Sequence, residues 1–454
     1  MSGCLTYLEP AHFEALTTAL LQADVAVDRS SLYLSAEASD FLRFNQGALR
    51  QATSVQQAYA TIAIERGRRR TESSLSLSGD LAADVRRLQA ERTLLTAQLD
   101  LIADDPWFQR PASATHSQRS ERGALVTAAH VIAQVHEAAA LRLKQDLVGF
   151  YAAGPVAHAM ADSLGSRHWH RVESFHFDWC LYHHADKAVK TAYAGTHWDD
   201  ATFAASLEEA VARVRLLELP AHTLKTGAYR AAFAPAAVAG LLSTLGWNGF
   251  SLKARRTGVS SLMRLQRGEA AFAANFHLEE AFERSTTPAF SSEGFARPDA
   301  VVLVDGGRLP ATGGTLNSLR SAAEYGVPAT GAHGAESPEA LHLHGGSIPD
   351  AELLRVLGNG LYISNLWYLN YSDRAACRMT GMTRYACFLV EDGELVAPLN
   401  VMRFDDDVLR LFGPGLVGLT ATPKFIPNSD TYGARRLGSV TTPAAVVEGL
   451  ALTL

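Results

Sequence analysis

Between Phe175 and Leu181 every second residue is large and apolar: Phe175, Phe177, Trp179 and Leu181. A repeat of two places them on one face of an extended strand and cannot be wrapped onto a helix. The intervening His176, Asp178 and Cys180 project from the opposite face, neighbours about 7 Å apart by strand rise. A strand of this kind needs a sheet with one buried face, and the surrounding segment 146–194 reads as strand-rich throughout. Ahead of it lie short strands at Ser31–Ser35, Phe41–Phe44, Ala58–Glu65 and Thr71–Leu77. Helices are expected over Pro10–Ala23, where Phe13, Leu16 and Leu20 repeat at helical spacing, over Asp80–Ile102, over Gly123–Leu143, and over Leu207–Glu218. The polar, proline-interrupted stretch Asp104–Gly123 reads as a loop or mobile lid.

Pro220 breaks the last of these helices, and the texture then changes to shorter strands with turn signals at Gly306-Gly307, Gly313-Gly314, Gly345-Gly346, Asp392-Gly393 and Pro414. Two helices interrupt it, Pro235–Leu245 and Pro349–Leu357. The expected fold class is α+β in two domains. Residues 1–217 form a mixed α/β domain with an antiparallel sheet and long helices, and residues 218–454 form a β-rich domain with a few helices. At 47% hydrophobic and 19% charged, the 454-residue chain has material for more than one core, which excludes disorder and a disulfide scaffold. A net charge of −6 gives no general attraction to nucleic acid, and the one dense basic run, Arg66–Arg70, reads as a solvated strand end. Four cysteines without CxxC spacing (Cys4, Cys180, Cys377, Cys387) fit a reducing cytoplasm, and no stretch is long and apolar enough to suggest a membrane span.

Sixteen histidines invite a search for metal ligands. His136-Glu137 opens like HExxH, but position 140 is Ala and 141 is Leu, so a second ligand is missing and a solvated helix surface is the better reading. His176/Asp178/Cys180 are legitimate ligand types on one strand face, with the ordinary polar face of a sheet as the bland account; the pair His168/His170 has the same two readings. His342-Leu343-His344 also places two imidazoles on one face, with Glu336 and Glu339 near in sequence as the possible third ligand. Neither a nucleophile elbow nor a Walker loop is present. The stretch Thr312–Arg320 reads as a polar loop leading into a helix, with amides free to hold a carboxylate or a backbone carbonyl.

The stretch Gly358–Asp373, followed by Met379–Arg384 and Phe388–Leu395, resembles the C-terminal region of the TldD/PmbA family. The similarity extends through Val172–Asp178, Asp186–Lys190, Tyr193–Gly195 and Phe290–Gly294, so it covers most of the chain and is specific from about Val172 onward. The resemblance implies a two-domain cytoplasmic protein acting on peptides, in which the TldD-type subunit holds zinc on an HExxxH helix and pairs with a TldE (PmbA) subunit. In this chain the corresponding helix reads Leu241–Gly249. Ser243 and Asn248 stand where the zinc histidines would be, Thr244 stands where the catalytic Glu would be, and no cysteine follows Cys387 to supply the family's third ligand. Hydroxyl and carboxamide are poor zinc ligands, and threonine is no general base near neutral pH.

The resemblance therefore implies a TldE type with neither catalytic residues nor metal of its own, zinc being held by a TldD-like partner and peptides or unfolded protein segments being the substrate. A dimer without nucleic-acid or membrane partners is expected. Thr315, Asn317, Thr383 and Arg384 are the substrate-binding candidates, and Trp367, Tyr368 and Tyr371 are interface candidates that could equally be core. Two rival readings stand beside this one: a metallopeptidase active alone through a relocated site at His176/Asp178/Cys180 or His342/His344, and a homo-oligomeric peptide-binding protein.

Overall fold

The structure is a computed structural model that describes residues 4–22, 25–138, 146–184 and 187–453. Its first sheet is built from seven strands: β1 (Arg29–Asn45), β2 (Ala48–Arg66), β3 (Arg69–Ser76), β4 (His116–Glu121), β5 (Asp146–Asp162), β6 (Arg167–His184) and β7 (Lys187–Gly195). Their order is β3-β2-β1-β5-β6-β4, with β7 also paired to β6. All pairings are antiparallel except that of β4 with β6.

The short strands expected at Ser31–Ser35 and Phe41–Phe44 are one 17-residue strand, β1. The Glu37–Asp40 link looks like an interruption in sequence, yet it carries no Gly or Pro. Its backbone stays in register, with Glu37 opposite Val156 and Asp40 opposite Ala153. The basic run caps the β2–β3 hairpin at Gly67, whose φ is +60°. Arg66 pairs with Asp100, Arg69 with Asp104 and Arg70 with Glu72, so the charges are neutralised locally.

Register decides what covers the sheet. One face carries Leu32, Leu34, Leu42 and Phe44 of β1, Ala60 and Ile62 of β2, the odd positions of β5, and Trp169, Phe175, Phe177, Trp179 and Leu181 of β6. Strands this long need more than one helix to cover them. One end of the face is covered by α1 (Pro10–Leu20) and α2 (Leu81–Gln98), through Phe13, Leu16, Leu20, Leu88 and Leu95. The other is covered by α3 (Ala128–Ala138) and α4 (Asp200–Leu216), through Val131, Val135, Phe203, Leu207 and Val214. Asp80 and Asp199 cap α2 and α4 by accepting from the amides of Ala83 and Thr202. Of the expected helix Gly123–Leu143, residues 139–143 lie outside the described residues, as do Ala23 of the first helix and Asp186 of the Asp186–Lys190 motif.

Residues 104–123 are not a free lid. Their second half is the edge strand β4, and Asp105 pairs with Arg320 of the second half of the chain at 3.0 Å. The parallel pairing with β6 is long-range, which no local pattern in this polar stretch announces.

The second half contains two further sheets. One joins β9 (Leu278–Glu280), β10 (Val301–Val304), β11 (Ala340–Leu343), β19 (Lys424–Pro427) and β20 (Ser439–Thr442) in the order β10-β9-β11-β20-β19. The other runs β13-β14-β17-β21-β8-β12-β15-β16, with β18 (Leu416–Leu419) on β21. Its members are β8 (Gly227–Phe233), β12 (Gly360–Ile363), β13 (Asn365–Asp373), β14 (Arg378–Arg384), β15 (Phe388–Glu391), β16 (Glu394–Pro398), β17 (Arg403–Asp407) and β21 (Ala445–Leu452). Helix α5 spans Pro235–Leu245, as its sequence predicts, and Asp392-Gly393, both at positive φ, turn β15 into β16. The fold is α+β with a β-rich C-terminal region. Among the described residues no helix is long and apolar enough to cross a membrane.

The polar face of the first sheet is not left to solvent as a plain alternation would suggest. The second half packs on it: His168 stacks on Phe290 at 4.8 Å, His170 Nε2 bonds the Thr286 carbonyl at 2.9 Å, and Arg435 donates to the carbonyls of Gly154 and Ser174, each at 2.9 Å. Arg29, 1% exposed, donates to Glu65, Asp162 and the carbonyl of Glu293 at 2.7–3.0 Å. Removing that cation leaves buried Asp162 with no ionic partner and leaves Glu65 to Arg70 and Arg110 alone. Arg29→Met is therefore expected to lower stability by about 3–5 kcal/mol, read as a shift in the denaturant midpoint.

Burial holds the His168 pKa down at about 4 and the His170 pKa at about 3. Both lie below the unfolded value of about 6.5, so below that pH the unfolded chain takes up protons that the folded chain excludes. Stability is expected to fall as pH drops from about 6.5 toward 4, each excluded proton contributing about 1.4 kcal/mol per pH unit. His170→Gln, which keeps a donor for Thr286, is expected to make that slope shallower in denaturation curves taken across this range.

Candidate functional site

Helix α5 begins with Pro235 at its first turn and buries Val238, Leu241, Leu242 and Leu245 in the core of the second half. Its last turn contains Ser243 and Thr244, two of the three positions matched to the zinc motif. Ser243 faces solvent, whereas Thr244 is 2% exposed and its hydroxyl donates to the Gly240 carbonyl at 2.9 Å. The helix stops at Leu245; the Trp247 amide closes a tight turn on the Thr244 carbonyl, and Asn248 then sits at φ +65°. Asn248 is thus off the helix, and one helical face does not carry both ligand positions. Tyr371 of β13 seals the end by donating to the Thr244 carbonyl at 3.1 Å and sharing a 2.9 Å bond with Ser261 Oγ. A zinc ion does not fit these residues, because the only buried hydroxyl is already used and the carboxamide leaves the helix.

The substrate-binding candidates separate. Asn317 is buried, its side-chain amide donating to the Pro328 carbonyl at 2.8 Å and its backbone amide to Thr330 Oγ1. The amides expected to be free in the Thr312–Arg320 loop are largely engaged: Leu316 N–H meets the Phe250 carbonyl, and Ser318 N–H meets Glu336 at 2.9 Å. The reason is Glu336, a buried carboxylate that also accepts from Ser251 and the Lys253 amide and ties this loop to two others. Thr315 is buried as well, and Thr383 is committed to Met402 through both backbone and hydroxyl. Arg384 alone offers a reachable charge, its guanidinium lying 4.6 Å from the Trp367 ring. With Trp367 47% and Tyr368 71% exposed on edge strand β13, it forms a cationic and aromatic surface. Tyr371, by contrast, is a packing residue.

Of the proposed histidine sites, His136 and Glu137 lie exposed on α3, and His168 and His170 are spent on Thr115, Ser117 and Thr286. His176, Asp178 and Cys180 share a face but do not converge; burial pushes the Cys180 thiol up to about 11, away from the thiolate that a metal requires. Among the described residues one group does converge, namely Glu279, His342 and His344, whose ligand atoms lie within 4.8 Å of one another. The third member is neither Glu336 nor Glu339, which are committed to Ser251 and Arg297. It is Glu279, which strand pairing sets directly opposite His342.

The profile of the PmbA/TldA metallopeptidase C-terminal domain matches residues 226–454. The chain belongs to the TldD/PmbA family. Its fold is that of TldE from Thermococcus kodakarensis, with a TM-score of 0.79 at 13% identity over 94% of this chain and 97% of that one. Two proteins described as putative modulators of DNA gyrase are also similar. The one from Thermotoga maritima has a TM-score of 0.75 at 13% identity over 99% of this chain and all of that chain. The one from Bacteroides thetaiotaomicron has a TM-score of 0.75 at 14% identity over 98% and 99%. No curated protein matches the chain. Within this TldD/PmbA member the α5 terminus departs from a zinc helix both in residue type and in backbone course. Thr244→Glu is expected to lower stability by about 3 kcal/mol or more, since it buries a carboxylate with no partner. The exposed Ser243→His is expected to change it by less than about 0.5 kcal/mol, both read as thermal midpoints.

Proposed function

We propose that this protein is a TldE-like subunit that works with a TldD-like, HExxxH-bearing subunit on peptides and unfolded protein segments, the partner supplying the catalytic zinc. The observation that carries the reading is the end of α5, where a used hydroxyl and an off-helix carboxamide occupy the positions at which the family's zinc chemistry is expected. The exposed Trp367 and Tyr368 beside Arg384 supply the aromatic and arginine side chains enriched at protein interfaces. On this reading the subunit contributes binding surface and chamber wall, not bond cleavage. Cys180, Cys377 and Cys387 are free, which fits a cytoplasmic setting for the complex.

Co-expression with an HExxxH-bearing TldD-like subunit, followed by size-exclusion chromatography and a peptidase assay, tests this. A stoichiometric complex with chelator-sensitive activity is expected, with no activity in this chain alone. Trp367→Ala is expected to weaken the complex by roughly tenfold or more, as loss of a buried aromatic anchor does. Activity of the isolated chain, or failure of the two subunits to associate, would overturn the reading.

A further inference from the structure

The paired strands β9 and β11 divide their side chains by parity. Leu278 faces inward opposite Leu343, each at most 1% exposed, together with Glu280 and Leu341. Glu279 and His342 stand opposite each other on the outer face, and the His344 amide extends the ladder to the His277 carbonyl at 3.0 Å. The outer face therefore gathers His277, Glu279, His342 and His344. His344 Nε2 lies 3.3 Å from Glu279 Oε1, and the His342 and His344 rings are 5.2 Å apart. Tetrahedral zinc with bonds of roughly 2.0–2.1 Å needs ligand atoms about 3.3 Å apart. His344 and Glu279 already have that separation, and the remaining ligand atoms lie within 4.8 Å, a gap that rotation of half-buried side chains closes.

We infer that Glu279, His342 and His344 bind a divalent transition-metal ion of the zinc class, leaving one coordination position for water or a carboxylate. Two imidazoles and a carboxylate are a ligand set suited to zinc, and rigid strands fix their spacing. All three groups are half-buried, so an ion can enter without unfolding the sheet. Arg284 Nη1 lies 3.6 Å from the same Glu279 oxygen, but its side chain is 62% exposed and free to move into solvent when an ion replaces it. His277 flanks the group and is held by Asp305 at 2.8 Å and by the Gly306 amide through Nδ1. This site is distinct from the α5 positions and stands or falls independently of the partner reading.

The test uses the full-length chain, stripped with chelator and titrated with zinc by calorimetry, with metal content measured after dialysis. Equimolar zinc is expected. His344→Ala and Glu279→Gln are each expected to weaken binding by roughly tenfold or more, while thermal midpoints of the metal-free proteins confirm folding. Cobalt should give the visible absorption of a four-coordinate site in the parent protein and lose it in His342→Ala. Zinc binding that the three substitutions leave unchanged, or only weak binding at several scattered histidines, would overturn the assignment and leave the cluster as a histidine–carboxylate ion pair.

Discussion

The architecture depends on one constraint, the single apolar face shared by the long strands β1, β2, β5 and β6. Strands of 17 to 19 residues expose too long a strip of Leu, Phe and Trp for one helix pair to cover. The chain answers with two pairs laid along the same face, α1 with α2 and α3 with α4, and each forms its own apolar cluster. The cluster beneath α4 continues through Leu217 to Tyr362, Phe388 and Val446, so the first sheet and the largest sheet of the second half share a core. Loss of that shared core would release both halves, not one.

Beyond that shared cluster the helices occupy the apolar face and the second half docks on the polar face, and the buried charges and histidines follow from that. Arg29, Arg435, His168 and His170 are each spent on partners that lie across the junction or on neighbouring strands. Arg297 makes a two-pronged pair with Glu339 at 2.9 and 3.0 Å close to the same junction. Such groups contribute little net stability compared with apolar packing, but a wrong docking would strand them unpaired, so they select one orientation.

Much of this was legible in the residues. The alternation at Phe175–Leu181 assigned the core face of β6, and Pro235 and the following apolar run located α5 to the residue. The interruption of the helix at Gly246 was not legible, because Gly246 itself has helical dihedrals and the turn depends on Asn248 and on Tyr371 arriving from β13. The candidate metal cluster was half visible. His342 and His344 declare themselves by their spacing, whereas Glu279 joins them only through strand pairing with a segment distant in sequence, and nearer glutamates compete for the role until their own partners are known.

Local pattern in this sequence determined the α+β class, most helices and the faces of the strands, since each follows from side-chain period alone. Tertiary structure decided the rest: that β1 runs unbroken past Glu37–Asp40, that a polar stretch becomes β4, that the histidine-bearing face is an internal junction, and that Glu279 meets His342 and His344. Each of those depends on pairing between residues far apart in the chain, and the free energy of such pairing comes from surfaces that exist only once the sheets have formed.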